Sequence, residues 1–302
     1  MNSFSLPAQL SGPLGLRIRL RDTAVWLFAV LPIKLRLWLY DRFLRPLLWF
    51  FFHLESRPIV VASAGPSGNR FKMWLSWQSH IVYTLGIYEP QIICLLRAAV
   101  KPGDFCIDVG AHLGYLTLVL SRMVGHSGRV VSFEPVPENF RALQENIRLN
   151  KATNVDLHNT AISDSSGAIS IACVAQQTFS WTPSAVSQNS ADNLNTIICN
   201  SVTLDDFLAG TPRIPRLIKI DVEGAELLVL RGAIRILETC GPILYLEIHN
   251  WGSPASAEVL RFLEERGYFS EIVGTRGQEA FCLAVPLAKQ ALVREIRAAA
   301  RA

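Results

Sequence analysis

The chain has 302 residues, half of them apolar, and a net charge of +4. This length and apolar fraction suffice for one large folded domain with a short appendage. The charge is localised, because residues 1–57 carry eight Arg or Lys and three acids, a balance of +5, whereas the remaining 245 residues balance at −1. A main domain without a global basic field is not expected to bind nucleic acid.

Residues 1–57 form a basic, aromatic segment that we separate from a main domain of residues 58–302. Its two apolar runs, 24–33 and 47–52, are shorter than the roughly 18–20 residues that span a bilayer. Arg and Lys interleaved with Trp and Phe are typical of an anchor in the headgroup layer. We therefore expect peripheral membrane contact. The alternatives are a helix packed on the domain or on a second subunit, and a signal peptide.

Six cysteines are scattered along the chain without a C-x-x-C pair. Cys106 lies in an apolar strand pattern, so buried free thiols are the expected state of such residues. This usage favours a reducing cytoplasm. Together with the N-terminal segment, it predicts a cytoplasmic protein at the inner face of the membrane.

Strand and helix patterns alternate after a turn at Pro102-Gly103. Residues 175–200, rich in Gln, Ser, Asn and Thr, are predicted to form a loop insertion of the kind that makes a lid. The whole pattern predicts an α/β fold, a mostly parallel sheet with helices on both faces and an antiparallel terminal hairpin. The predicted elements in chain order are strand 105–109, helix 113–124, strand 129–134, helix 137–149, strands 155–162 and 168–174, strand 217–222, helix 224–237, strand 243–249, helix 256–266 and strands 268–274 and 279–285.

The first candidate site is a glycine turn that follows the strand at 105–109. Residues 104–114 read Asp-Phe-Cys-Ile-Asp-Val-Gly-Ala-His-Leu-Gly, and Glu134 ends the next strand, 26 positions after Asp108. This is the strand–turn–helix–strand–acid layout of a nucleotide-type cofactor site, in which Glu134 can accept both ribose hydroxyls. The turn lacks G-x-G-x-x-G and spaces its glycines four apart. A carboxylate beside it would repel a pyrophosphate but suits an ammonium and a sulfonium, which favours S-adenosylmethionine over NAD.

The second candidate site lies at the ends of two later strands, in the sequences LIKIDVEGAE (217–226) and ILYLEIH (243–249). Ligands of parallel sheets bind at the carboxyl ends of the strands. A general base for an acceptor hydroxyl is one interpretation of these ionisable residues, and a divalent cation held by the same residues is the other. The candidate catalytic residues are Asp221, Glu223, Glu247 and His249.

Two neighbouring ionisable residues have plainer explanations. Lys219 is as readily explained by an ion pair with an adjacent acid as by a site role. Glu226 suits a solvated position in the first turn of a helix, where the helix dipole favours an acid. For His249, a hydrogen bond at the strand end competes with the catalytic interpretation, in which an unperturbed pKa suits a general base.

The chain resembles the FkbM family of S-adenosylmethionine-dependent methyltransferases. The resemblance covers residues 105–285 in consistent order, and its motifs together are specific. The matching stretches are IDVGAHLGYLTL (107–118), FEPVPENFRALQENIRLN (133–150), AISDSSG (161–167), SVTLDDF (201–207), LIKIDVEGAELLVLRGA (217–233) and LEIH (246–249).

The resemblance implies a class I (Rossmann-like) methyltransferase fold and O-methylation of a hydroxyl on a sugar, a glycolipid or another small molecule. It places the acceptor beside the four candidate catalytic residues. His112 stands where the family commonly shows Asn, which leaves the hydrogen bonding of the turn open. The non-enzymatic alternatives are a cofactor-binding regulator and a membrane-tethered scaffold. By position, the cofactor-binding residues are Asp108, Gly110, Ala111, His112, Gly114, Glu134, Ala161 and Asp164.

Overall fold

The computed structural model describes residues 31–39, 42–43, 59–64, 70–75, 88, 90–174, 180–181 and 194–301. The chain divides into two compact units, residues 1–90 and 91–302. The predicted boundary after residue 57 falls in a region where few residues are described, and it stays a prediction. The apolar run 47–52 lies outside the described residues.

The first unit contains a helix and a hairpin of strands. Helix α1 (Ile33–Leu39) precedes the antiparallel strands β1 (Ile59–Ala64) and β2 (Arg70–Leu75). Among the residues that the structure describes, no helix is both long and apolar enough to cross a bilayer. Among the described residues of this unit, Leu35, Trp38 and Phe43 are large apolar side chains that are exposed.

The second unit is built from alternating strands and helices. The strands are β3 (Phe105–Val109), β4 (Arg129–Phe133), β5 (Val155–His158), β6 (Ala161–Ile162), β7 (Gly167–Val174), β8 (Ser180–Trp181), β9 (Leu194–Val202), β10 (Leu217–Ile220), β11 (Ile243–Ile248), β12 (Tyr268–Arg276) and β13 (Glu279–Pro286). The helices are α2 (Pro90–Ala99), α3 (Tyr115–Val124), α4 (Pro137–Leu149), α5 (Leu204–Phe207), α6 (Glu226–Arg231), α7 (Ile234–Cys240), α8 (Pro254–Glu265) and α9 (Ala291–Arg301).

The central sheet has seven strands in the order β12-β13-β11-β10-β3-β4-β5. Strands β5, β4, β3, β10 and β11 are parallel, and β13 runs antiparallel to both β11 and β12. This confirms the predicted class I methyltransferase fold with an antiparallel terminal hairpin. The chain moves outward from β3 in one direction through β4 and in the other through β10 and β11. Because such crossovers are right-handed, the two series of helices cover opposite faces.

The strands of the central sheet are continuous apolar runs because both faces are covered. All five residues of β3 and all six of β11 are buried, and Ile107 and Leu246 are fully enclosed. The polar residues of these strands cluster toward their carboxyl ends. The reversal of strand order between β3 and β10 opens a crevice at that edge, where doubly wound sheets bind their ligands.

The predicted helix 224–237 is wrong as a single element, because it is two helices, α6 and α7. The break falls at Gly232, where a Cβ atom would lie 2.0 Å from the carbonyl oxygen of Ser163. The backbone of residues 163–164 therefore packs directly on the helix junction. Helical periodicity continues through the junction in the sequence, so the pattern alone does not show this tertiary contact.

The predicted strand 155–162 is also divided, since β5 belongs to the central sheet and β6 to a second sheet of order β6-β9-β7-β8. The prediction of a loop was wrong for residues 194–200, which form most of β9 and pair antiparallel with β7. Because these residues include Asn and Thr, their sequence does not show a clear strand pattern, and their partner strand is distant in sequence. Residues 175–179 and 182–193 lie outside the described residues, and the lid interpretation stays a prediction.

Candidate functional site

The glycine turn requires both of its glycines. Gly110 has φ +79°, and a Cβ atom there would lie 1.8 Å from the carbonyl oxygen of Asp221. Gly114 has φ +84°, and its Cβ atom would lie 2.4 Å from Cδ1 of Leu143 on α4. Since L side chains rarely adopt such φ values, the turn is fixed against both the end of β10 and the helix after β4.

Glu134 lies directly beneath this turn and is 3% exposed. Its Oε2 accepts from the backbone N–H of His112 at 2.8 Å. Its Oε1 accepts from the N–H of Val136 at 3.0 Å and from Nδ2 of Asn139 at 3.3 Å. Burial raises the pKa of Glu134 to about 7, although these donors act to lower it. Glu134, the residue predicted to bind the ribose, therefore also organises the glycine turn.

His112 holds the left-handed backbone conformation at the apex of the turn, with φ +51°. Asn adopts this conformation several times more often than most residues, and His is also enriched there. Its neighbours Gly110 and Ala111 donate their N–H groups to the carbonyl oxygen of Phe133, at 3.0 and 2.9 Å. The turn therefore keeps its hydrogen bonds with His in place of the family's Asn, because the bond to Glu134 uses the backbone.

Asp108 is fully buried and turned toward the protein interior. Thr117 donates to its Oδ2 at 2.6 Å, and Nζ of Lys219 lies 3.1 Å from its Oδ1. Lys219 also donates to the carbonyl oxygen of Gly110 at 2.6 Å. The charge of Asp108 is thus already balanced, so a preference of this turn for a cationic ligand does not come from Asp108 alone. Its direct contact with the cofactor stays a prediction.

Lys219 joins the two candidate sites. Its Nζ lies between Asp108 and Asp221, 3.5 Å from Oδ2 of the latter, which confirms the predicted ion pair with a neighbouring acid. Burial acts to lower the pKa of Lys219, but the charges of the two aspartates outweigh it and raise that pKa. The lysine is therefore a permanent internal cation.

Ala161 and Asp164, the residues predicted to lie near the adenine, follow β5 beside Glu134. Ala161 is buried in β6, and Asp164 is exposed. The side chain of Asn159, which the sequence did not single out, donates to the carbonyl oxygen of Glu134 at 2.8 Å and directs the chain out of the central sheet. The adenine assignment of Ala161 and Asp164 stays a prediction.

The four candidate catalytic residues come together around the imidazole of His249. Its Nε2 lies 3.2 Å from Oε2 of Glu223, 3.9 Å from Oδ1 of Asp221 and 4.0 Å from Oε1 of Glu247. Its Nδ1 lies 2.8 Å from Oε1 of Glu226. We call these five residues the acceptor cluster.

Glu226 is not the solvated helix acid that the helix dipole suggested. It is 2% exposed, and its Oε1 accepts from the N–H of Gly224 at 2.9 Å while facing His249. Glu226 thereby fixes the orientation of the imidazole. The close approach depends on the left-handed backbone of Glu223, with φ +52°, and of Gly224, with φ +98°.

Protonation in the acceptor cluster differs from the sequence-based expectation. Burial acts to lower the pKa of His249, but the hydrogen bond to Glu226 and the charges of Asp221, Glu226 and Glu223 outweigh it and raise that pKa well above its ordinary value. For Glu223, in contrast, burial itself raises the pKa, to about 7. In this arrangement His249 is protonated at neutral pH, so the premise of an unperturbed histidine base does not hold.

Arg276 closes one side of the acceptor cluster, and no sequence signal pointed to it. Its Nη2 donates to Oε1 of Glu247 at 2.9 Å, and its Nε donates to Oε2 of Glu279 at 2.7 Å. Its guanidinium carbon lies 5.4 Å from the centre of the Phe281 ring. Because the β12–β13 hairpin pairs with β11, this arginine reaches the end of a strand that is distant in sequence.

The acceptor cluster lies next to the glycine turn. The N–H of Asp221 donates to the carbonyl oxygen of Val109 at 3.1 Å, and Gly110 contacts the backbone of Asp221. One ligand atom each from Asp221, Glu247 and His249 lie within 4.8 Å of one another, a set compact enough for one metal ion. The arrangement can hold a donor at the turn and an acceptor among ionisable groups beside it.

A family model and two curated relatives show what this chain is similar to. The model of the methyltransferase FkbM domain matches residues 108–270. The hexuronic acid methyltransferase AglP of Haloferax volcanii is 28% identical over 199 residues, 65% of this chain and 76% of that protein. Methyltransferase 1 of Beauveria bassiana is 29% identical over 155 residues, 46% of this chain and 62% of that protein.

A crystal structure of methyltransferase FkbM from Methylobacillus flagellatus KT superposes with a TM-score of 0.44 and 19% identity, over 67% of this chain and 51% of that one. The family match carries the assignment, because it spans more than half of the chain and includes both the glycine turn and the acceptor cluster. The protein therefore belongs to the FkbM family of methyltransferases, which use S-adenosylmethionine as the methyl donor.

Proposed function

We propose that this protein transfers the methyl group of S-adenosylmethionine to a hydroxyl of a sugar, a glycolipid or another small molecule. The observation that carries the proposal is the acceptor cluster, in which Asp221 contacts Gly110 of the glycine turn. The relative from Haloferax volcanii is a hexuronic acid methyltransferase, which supports a sugar acceptor. A regulator or scaffold without chemistry would not require four carboxylates around one partly buried imidazole.

The glycine turn defines the proposed position of the cofactor. Its methionine end lies against the turn, its ribose hydroxyls bind Glu134, and its adenine extends toward the chain that leaves β5. A protonated His249 and the ion pair of Lys219 leave the carboxylates as the basic groups on the acceptor side. The residues assigned to the methionine end are Asp108, Gly110, Ala111, His112 and Gly114, and those assigned to the adenine are Ala161 and Asp164.

Glu223 is the proposed general base. Methyl transfer is an in-line displacement, so the enzyme must align the acceptor oxygen, the methyl carbon and the sulfur. A sugar hydroxyl is a weak nucleophile, and a base that takes its proton during attack contributes about 10²–10⁴ in rate. Glu223 is 23% exposed at its side chain, and its Oε2 lies 3.2 Å from His249. It is thus accessible to an acceptor and lies beside the imidazole.

The direct test is methyl transfer by the purified full-length protein. Incubation with S-adenosylmethionine carrying a labelled methyl group and with hexuronic acid glycosides, neutral glycosides or glycolipid extracts should yield a labelled product. Mass spectrometry with fragmentation should place the added methyl on oxygen. Label on nitrogen, on carbon or on protein alone would contradict O-methylation of a sugar.

Replacing Glu134 with glutamine is expected to weaken binding of S-adenosylhomocysteine by at least roughly tenfold at pH 8, measured by calorimetry. Hydrogen bonds to a charged group are worth about 1.5–3 kcal/mol each, and 1.4 kcal/mol is a factor of ten. Because the pKa of Glu134 is raised to about 7, the wild-type affinity should fall as the pH drops from 8 to 6. In the variant this dependence should disappear.

The matched control for Glu134 is Glu138→Gln, an exposed acid on α4 whose contact with Arg141 is a 3.9 Å surface pair. Its cofactor affinity and pH dependence should equal those of the wild type. A folded Glu134→Gln protein with unchanged affinity at pH 8 would remove Glu134 from the cofactor site.

We further propose that residues 1–57 bind the cytoplasmic surface of the membrane. The proposal is supported by their balance of +5 and by the exposed Leu35, Trp38 and Phe43, of which the last two contact each other edge to face. A basic segment with exposed aromatic residues suits an anionic headgroup layer.

Reversing the charges of Lys34 and Arg36 to glutamate in the full-length protein should lower partitioning onto anionic vesicles by roughly thirtyfold or more. Each basic residue near such a surface contributes about 1 kcal/mol, and 1.4 kcal/mol is a factor of ten. Vesicle sedimentation measures the effect. Reversing Lys101 and Arg261, exposed residues of the second unit, should leave partitioning unchanged, and equal effects of the two double variants would contradict the proposal.

A further inference from the structure

We propose that Asp221, Glu247 and His249 bind a divalent cation of the Mg²⁺ or Mn²⁺ type beside the cofactor. The proposal rests on the proposed function and deepens it, because the cation would hold the acceptor oxygen next to the methyl group. One ligand atom from each residue lies within 4.8 Å of the others. Ligands bound at about 2.0–2.3 Å to one ion are separated by roughly 3–4.5 Å, so small side-chain adjustments complete the site.

The imidazole of His249 is oriented and hydrogen-bonded as the imidazoles of metal-binding histidines usually are. Its Nδ1 lies 2.8 Å from the buried carboxylate of Glu226. Its Nε2 faces the other three carboxylates of the cluster, at 3.2 Å from Glu223 and at 3.9 and 4.0 Å from Asp221 and Glu247. Histidine ligands of metals almost always donate the other ring N–H to a carboxylate or carbonyl, which fixes the tautomer and the orientation of the ring. Glu226 is placed to do this for His249.

The acceptor cluster is rich in negative charge. Lys219 pairs with Asp221, and Arg276 pairs with Glu247. Each has a second acid partner, Asp108 for the lysine and Glu279 for the arginine. Four carboxylates therefore surround a single imidazole. Carboxylates held largely out of water are costly unless a cation accompanies them, and a metal ion bound at Nε2 would take the place of the proton there.

The donor set indicates which cation and which role. Two carboxylate oxygens and one imidazole suit a hard or borderline divalent ion, and the absence of thiolate from the set disfavours soft metals. Three protein ligands leave coordination positions for water and for an acceptor hydroxyl, whose acidity the ion would increase. The hydroxyl proton then passes to Glu223 and the oxygen bonds to the methyl carbon. The carbon–sulfur bond breaks with its electron pair on sulfur, which gives neutral S-adenosylhomocysteine.

Titration of the full-length protein with Mn²⁺, followed by the electron paramagnetic resonance signal of the free ion, tests the site. We expect one site per chain in the wild type. Asp221→Asn and His249→Gln should each weaken it at least about tenfold. Glu226→Gln, which removes the charge behind the imidazole, should weaken it by about 10–100-fold. Glu258→Gln, an acid of a surface pair with Arg231 on neighbouring helices, should bind Mn²⁺ as the wild type does.

Binding of S-adenosylhomocysteine in the presence of a chelator, measured on the same samples, separates the two proposals and verifies that each variant is folded. Intact cofactor binding without Mn²⁺ binding in the wild type overturns the cation site and leaves the methyltransferase proposal standing. Mn²⁺ binding that Asp221→Asn and Glu226→Gln do not weaken also overturns it. Mn²⁺ binding as expected, without cofactor binding or methyl transfer, supports the cation site and overturns the proposed function.

Discussion

Replacing Glu223 with glutamine is expected to lower the turnover of methyl transfer by about 10²–10⁴, the contribution of a positioned general base. The amide has the shape of the carboxylate and tolerates the left-handed backbone at this position, with φ +52°, about as well as glutamate does. The fold should therefore persist. Steady-state kinetics with the acceptor identified by the labelling assay measure the effect. The affinity for S-adenosylhomocysteine should stay within a few-fold of wild type, because Glu223 is outside the glycine turn.

Two further variants test whether other residues of the acceptor cluster also contribute to turnover. His249→Ala and Glu247→Gln should also lower turnover, by about 10² or more, since displacement of reacting groups by 1 Å can cost that much. Glu258→Gln serves as the matched control and should keep full turnover. If Glu223→Gln methylates at the wild-type rate while His249→Ala and Glu247→Gln do not, the base lies elsewhere in the acceptor cluster. If all three retain activity, none of these three side chains is the base or positions the reacting groups.

The central sheet was predictable because its strands are apolar runs bounded by clear turns. Strand 105–109 and helix 137–149 match β3 and α4 residue for residue. The glycine turn was equally predictable from the sequence, since its glycines and Glu134 interact over short stretches of sequence. The grouping of Asp221 with His249 followed from parallel strands ending at one edge of the sheet. These features depend on local pattern and on one general rule of topology.

The features of the fold and the site that could not be predicted depend on contacts between segments that are far apart in sequence. Glu226 appeared to be a solvated acid because its helical position suits one, yet His249 and Gly224 enclose it. Arg276 reaches Glu247 only through the pairing of the terminal hairpin with β11. The break at Gly232 arises from the backbone of residue 163. Each case requires knowledge of which distant segment packs there, and a periodicity of 2 or 3.6 residues does not carry that information.

Replacing Lys219 with methionine is expected to destabilise the protein by about 3–5 kcal/mol, the cost of leaving one member of a buried ion pair without its partner. Asp108 would lose the charge 3.1 Å from its Oδ1 and keep only the hydroxyl of Thr117. The carbonyl oxygen of Gly110 would lose its 2.6 Å donor. For a unit of this size each kcal/mol lowers Tm by about 2–4 °C, so a fall of about 6–20 °C is expected in calorimetry.

The double variant Asp108→Asn, Lys219→Met distinguishes a buried charge from a lost packing contact. Neutral replacement of a whole buried ion pair is often neutral or stabilising, whereas removal of one partner is costly. The double variant should therefore recover most of the stability lost in Lys219→Met, because the amide introduced in place of Asp108 carries no charge and can still bond to Thr117. A double variant no more stable than Lys219→Met would locate the loss in the donor to Gly110, and the turn rather than the ion pair would then be the element that Lys219 supports.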